Sequence, residues 1–130
     1  MSIEPTELET VIALPAEDRY EFFLDQVIET GRIYGLVGES WAIFRDDEQG
    51  YQLFPVWSDE DFAHANAVGE WAGYTAKEFT IKDFSEGLVP ELVQANMHLS
   101  IFKAPNDIGR VAEPREVELI LSSKHKPKMN

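Results

Sequence analysis

The stretch that decides the fold is RIYGLVGESWAIFRDDEQGYQLFPVW, residues 32–57. Three short runs rich in β-branched and aromatic side chains, Ile33 to Val37, Trp41 to Arg45 and Tyr51 to Trp57, are separated by Gly38 to Ser40 and by Asp46 to Gly50. Such side chains fit a pleated surface, and Gly, Asp and Ser supply the turns. Connections this short join only antiparallel neighbours, because a parallel crossover needs roughly a dozen residues. The middle of the chain is therefore predicted to be a three-stranded antiparallel meander. Gly35, inside the first run, marks a bulge or a close approach to the backbone.

Working outward, the spacing of Tyr20, Phe23, Leu24, Val27 and Ile28 predicts a helix from Pro15 to Gly31, with Pro15 in its first turn and Gly31 at its C-terminal cap. A shorter acidic helix from Glu4 to Leu14, with Leu8, Val11 and Ile12 as its apolar stripe, makes residues 1–31 a helical hairpin. After the meander, Ser58 reads as an N-cap with Asp59, Glu60 and Asp61 in the first turn, where negative charge suits the helix dipole. That helix is expected to run to Gly73, presenting Phe62, Ala65, Val68, Gly69 and Ala72 to the core, its small residues close against the sheet, with Trp71 beside them. Glu78 to Ile81 reads as a strand, and Asp83 to Ala95 as a helix with Phe84, Leu88, Leu92 and Val93 inward and Pro90 kinking or splitting it. A strand at His98 to Lys103, an edge strand at Gly109 to Ala112 and a last helix opened by Pro114, with Val117, Ile120 and Leu121 inward, complete the series. The basic tail over 124–130 reads as frayed. The order αα-βββ-α-β-α-β-α gives one α+β domain over 1–130, its helices covering one face of a mixed, mainly antiparallel sheet.

Composition bounds function. A chain of 130 residues with 44% apolar and 12% aromatic content can build one core without help. With no Cys, disulfides, thiolate metal sites and cysteine nucleophiles are excluded. No run of roughly 20 apolar residues is present, and the start MSIEPTELET lacks the marks of a secretory signal, so the expected location is the cytoplasm and no membrane contact is expected. Asp and Glu number 24 against 11 Lys and Arg, a net charge of -13. Such a field repels phosphate backbones, which disfavours nucleic acid, and attracts a basic protein partner; it also keeps a small domain soluble.

No constellation carries an evident chemistry. Asp46, Asp47, Glu48 and Gly50 lack the alternating ligands of a calcium loop and read as a solvated hairpin turn. His64, His98 and His125 are scattered, at no metal-motif spacing, so no metal and no cofactor is expected. The serines lack a nucleophile elbow, and the glycines at 31, 35 and 38 form no phosphate cradle. What stands out is aromatic density between Tyr34 and Tyr74. Burial in a core and exposure at a binding face are both open to these residues, and Trp41, Arg45, Trp57 and Trp71 are the candidates for binding.

Three motifs, W-A-I-F at 41–44, P-V-W-S-D-E-D-F-A at 55–63 and G-R-V-A-E-P-R-E-V at 109–117, resemble a bacterial family of uncharacterised proteins, DUF2750, over about Trp41 to Leu121. The layout is also similar to that of the SseB-like domain, which implies a regulatory or interaction role. Neither resemblance supplies catalytic residues. The reading that follows is a non-enzymatic interaction or regulatory module. Its alternatives are an immunity or inhibitor protein that captures a basic target, and a small-ligand binder or enzyme with a pocket beside the sheet, anchored by Arg45 and by His64 or His98. A homodimer built on a self-associating apolar face is compatible with each.

Overall fold

The computed structural model describes residues 5–105 and 107–124. Its helices are α1 (Pro5–Ile12), α2 (Ala16–Thr30), α3 (Glu60–Ala65), α4 (Ile81–Asp83), α5 (Val89–Gln94) and α6 (Pro114–Lys124), and its strands are β1 (Arg32–Val37), β2 (Phe44–Arg45), β3 (Gln52–Val56), β4 (Thr75–Thr80), β5 (His98–Ile101) and β6 (Arg110–Ala112). The α+β class and the mixed, mainly antiparallel sheet stand as read from the sequence. Of the tail expected to fray over 124–130, Lys124 is the last residue of α6, and residues 125–130 lie outside the described residues.

The strand pairing departs from a simple meander. β1 takes β4 as its antiparallel partner, from Arg32 opposite Thr80 to Val37 opposite Thr75. The other four strands form a sheet in the order β2-β3-β5-β6, in which only the β3–β5 pairing is parallel. Tyr34 and Trp57 exchange backbone hydrogen bonds of 2.8 Å in each direction and so join the two pieces. Pro55 is the reason that β2 stops short. The ladder pairs Phe44 with Leu53, and two residues further on it would set Ala42 against Pro55, which has no N–H to give. The chain leaves β3 there, and the Ala42 N–H donates instead to the Leu36 carbonyl at 2.9 Å. The run from Tyr51 to Trp57 thus serves β2 at one end and β1 at the other.

The helices depart from expectation in two places. Asp59, not Ser58, occupies the N-cap of α3, because the Ser58 hydroxyl is buried and donates to the Asp59 carboxylate at 3.2 Å. α3 ends at Ala65; Asn66 turns back on it through a bond from Nδ2 to the Phe62 carbonyl, and a separate 3-10 turn, Gly69–Trp71, follows. Gly69 has a φ of 59° and Val68 is exposed, so the expected small-residue stripe against the sheet does not exist. Before Pro90 the α-helical ladder is interrupted: α4 and α5 are separated by a π turn, Phe84–Leu88, in which the Val89 N–H reaches back to the Phe84 carbonyl. A wide turn just before proline relieves the ring's clash with the preceding turn. Phe84, Leu88, Val89 and Leu92 face inward, whereas Val93 is exposed.

A single core joins α2, α3, α5, α6, β1, β3 and β5, with Phe23, Val27, Ile33, Trp57, Phe62, Phe84, Leu99 and Val117 wholly enclosed. Arg19 lies within the protein beside it. Its Nε donates to the Phe102 carbonyl at 2.9 Å, its Nη1 to the Leu14 carbonyl and its Nη2 to the Asp107 carboxylate. Phe102 has a φ of 57°, a conformation that bulky residues rarely adopt. The clamp thus ties the α1–α2 turn to the strained exit of β5 and to the loop before β6. A Cβ at Gly109 (φ 76°) would lie 2.5 Å from the Ile101 carbonyl oxygen, so the same loop closes against β5 only with glycine there.

Three tests follow from this packing. Arg19→Met leaves buried carbonyls without a donor, so urea unfolding is expected to show a loss of about 3 kcal/mol. The hydrogen bond from Arg19 holds the Asp107 carboxyl below its ordinary value. The stability it gives is complete above the unfolded-state value near pH 4 and is lost as pH falls through the lower folded one. Asp107→Asn should therefore flatten the acid limb of a stability–pH curve, modestly because Asp107 is partly exposed. Gly109→Ala, combining an unfavourable φ with a clash against backbone, should cost at least about 2 kcal/mol in the same assay.

Candidate functional site

Three elements converge beside the end of the sheet. α5 stops at Gln94, Asn96 reverses the chain at a φ of 58°, and the Met97 N–H closes the turn on the Leu92 carbonyl at 2.9 Å. Asn tolerates that left-handed conformation better than most residues. β5 then begins at His98, in parallel register with Leu53 of β3. Tyr51, just before β3, lies nearly flat on the His98 ring, with 3.8 Å between centroids and 22° between planes. The third wall is the start of α6, Glu113 to Arg115, set there by the β5–β6 pairing of Leu99 with Ala112.

Between them is a cleft of about 450 Å³, a volume within the range of small-molecule sites. Val93, Met97, Pro114 and the Tyr51 ring make it chiefly apolar, and Asn96, Glu113 and Arg115 add polar groups. His98 is half-buried, and its Nδ1 is enclosed without a hydrogen-bond partner. A buried polar atom left unpaired costs about 1–3 kcal/mol, so this ring has hydrogen-bonding capacity that the fold does not use. Arg115 is steadied by Glu118 at 3.0 Å. The Ser85 hydroxyl also donates to Glu118, and these bonds, Ser85's first, hold its carboxyl below the usual range.

The residues singled out in the sequence fall in different places. Trp57 is wholly enclosed, and its indole N–H donates to the Lys103 carbonyl at 2.9 Å. Trp71 is buried edge-on to Phe44, and the Lys103 ammonium sits over both rings at 5.6 and 5.5 Å, where burial pushes its pKa down. Trp41 is half-buried, stacked on Phe79 at 5.3 Å and tilted on Phe54 at 5.4 Å. A Cβ on Gly35 would stand 3.4, 3.5 and 3.6 Å from the Trp41, Phe54 and Phe79 rings, ordinary van der Waals contact, so the close approach expected at this glycine is not one that these rings require. The three tryptophans therefore share no exposed face, because Trp57 and Trp71 belong to the interior. Arg45 is exposed on β2 and His64 on α3, both away from the cleft, and His125 lies outside the described residues. Of the expected anchors only His98 lines the cleft. Tyr51, Val93 and Met97 carry no signal in the sequence, since they come from three elements that only the fold brings together.

The turn at 46–50 is a hairpin turn as read. Asp46, however, is buried, and its side chain accepts the Glu48 N–H at 3.0 Å instead of facing solvent. Among the described residues no group of three or more His, Asp or Glu is placed to hold a metal ion, and no helix is long and apolar enough to cross a membrane.

The family model described as Protein of unknown function (DUF2750) matches residues 20–121 of the chain. The chain belongs to this family. No curated protein and no solved structure matches it. In this DUF2750 chain the matched span contains every residue of the cleft and begins one residue after the Arg19 clamp.

The different settings of the tryptophans can be read directly. Acrylamide should quench the part of the emission that comes from Trp41, and Trp41→Phe should remove most of the quenchable fraction while leaving the protected emission of Trp57 and Trp71.

Proposed function

We propose that this protein is a non-enzymatic binding module that takes a small, flat, largely apolar molecule into the Tyr51–His98 cleft. The observation that carries this reading is the parallel pair of Tyr51 and half-buried His98 on a chiefly apolar wall, with the His98 Nδ1 enclosed and unpaired. A flat ring gains most from such a wall, and aromatic contacts contribute about 0.5–1.5 kcal/mol beyond the area they bury. Asn96, Glu113 and Arg115 offer both donors and acceptors at fixed places, which suits a heteroaromatic edge better than a hydrocarbon. Binding is favoured over catalysis by the state of His98, whose Nδ1 lacks the orienting group that a general base in a relay requires.

A second reading, a regulatory module that meets a protein partner in the cytoplasm, is supported by the net charge of -13 and by a strand edge left unpaired on one side. Its special case, an immunity protein for a basic target, draws on the same charge.

The first reading is tested by titrating the protein with indole, benzimidazole and, as an aliphatic control, cyclohexanol while amide and side-chain NMR shifts are followed. Benzimidazole should move resonances of Tyr51, Met97 and His98 more than cyclohexanol does, and Tyr51→Ala should weaken its binding by about tenfold. Equal responses to all three, or shifts centred elsewhere, would overturn it.

A further inference from the structure

We propose that β4 is an open edge that accepts an extended segment of another protein, and that Lys77 and Glu78 keep it from pairing with a second copy of this chain. This inference stands apart from the ligand reading and does not rest on it.

β4 pairs with β1 along one side, and among the described residues no other strand pairs with it. The edges of the four-stranded sheet are β2 and β6, of two and three residues, too short to template much pairing; β4 has six residues and no proline. A groove of about 570 Å³ runs beside it. Its lining includes the consecutive residues Lys77, Glu78 and Phe79, so it borders the later part of the strand. Trp41, stacked on Phe79, lines the groove together with Leu88 on the neighbouring helical stretch. Backbone groups along an edge, with side-chain contacts at alternate positions beside it, are what strand addition uses.

The occupant follows from charge and register. Residues directly opposite in an antiparallel pair share a face, as Gly35 and Lys77 do here. Two copies of β4 related by a two-fold axis must therefore set each residue against one of the same parity. Only two such registers pair most of the strand. One sets Lys77 against itself, and the other sets Glu78 against itself. Sliding further leaves three residues or fewer in register, so every extensive self-pairing meets a like-charge pair at its centre. Glu78 is already engaged by Arg32 at 3.1 Å and by the Tyr34 hydroxyl, whose pKa is pushed up to about 12, burial being the larger cause and Glu78 the next. Lys77, and Lys82 further along the groove, form no ion pair among the described residues. The fitting partner is thus an extended segment with one carboxylate opposite Lys77 and apolar side chains two residues to either side. Glu86 and Glu91, which also line the groove, disfavour further acids.

The test uses two capped peptides, Thr-Val-Thr-Glu-Thr-Val-Thr and Thr-Val-Thr-Lys-Thr-Val-Thr, which differ only in the charge at the centre, added to the full chain while amide shifts and the Trp41 indole signal are followed. The first should bind about fivefold more tightly than the second, with shifts along Thr75–Thr80 and at Trp41, and the preference should reverse for Lys77→Glu. Sedimentation should show the unaltered protein not to associate through β4. No shift in β4 at millimolar peptide, equal binding of both peptides, or self-association that places β4 amides at the contact would each overturn the proposal.

Discussion

The fold depends on one buried guanidinium. Arg19 is 2% exposed, yet it reaches three parts of the chain: the turn that ends α1, the Phe102 carbonyl at the exit of β5 and the Asp107 carboxylate in the loop leading to β6. A charge taken from water costs several kcal/mol unless each of its donors is met, and here the planar fork meets a backbone carbonyl on each of two segments and a carboxylate on a third. The bond to Phe102 also helps hold a residue in the left-handed region, where the ring can pack on Phe22 and Phe62. Without that turn, β5 and β6 would not meet in their register, and α6 would not begin where it closes the cleft.

A second constraint is the absence of a donor at Pro55. Because β3 cannot continue its ladder to β2, the chain around Ala42 swings to β1, and β3 is free to exchange bonds with Tyr34 through Trp57. The β1–β4 ribbon therefore hangs from the sheet by one bridge. Trp41 and Phe79 stack over that ribbon. Together these details explain why Trp57 is interior while Trp41 is only half-covered, and why β4 is left with a groove beside it.

The cleft and the edge groove differ in what they can recognise. The cleft offers an aromatic wall and fixed polar groups to something small, and the groove offers backbone groups and a central lysine to something extended. Apart from α5, which gives Val93 to the first and Glu91 to the second, they draw on different elements, the first on the start of α6 and the chain around Tyr51 and His98, the second on β4 and the helical stretch after it. Residues 20–121, the span that defines the family, contain both.

The sequence by itself determined the elements and their class. The 3.6-residue spacing of Tyr20, Phe23 and Val27, the caps at Gly31 and Pro114, and the period-two runs are local signals, and each acts within a few residues. Only the tertiary structure decided which strands meet and which aromatics stay in reach of solvent. β1 pairs with β4 although β2 follows it directly in the chain, and Trp41 differs from Trp57 through packing across strands far apart in the chain. The Tyr51–His98 pair and the Arg19 clamp were not legible for the same reason: their partners are separated by tens of residues, and no local periodicity records a contact that exists only once the core has closed.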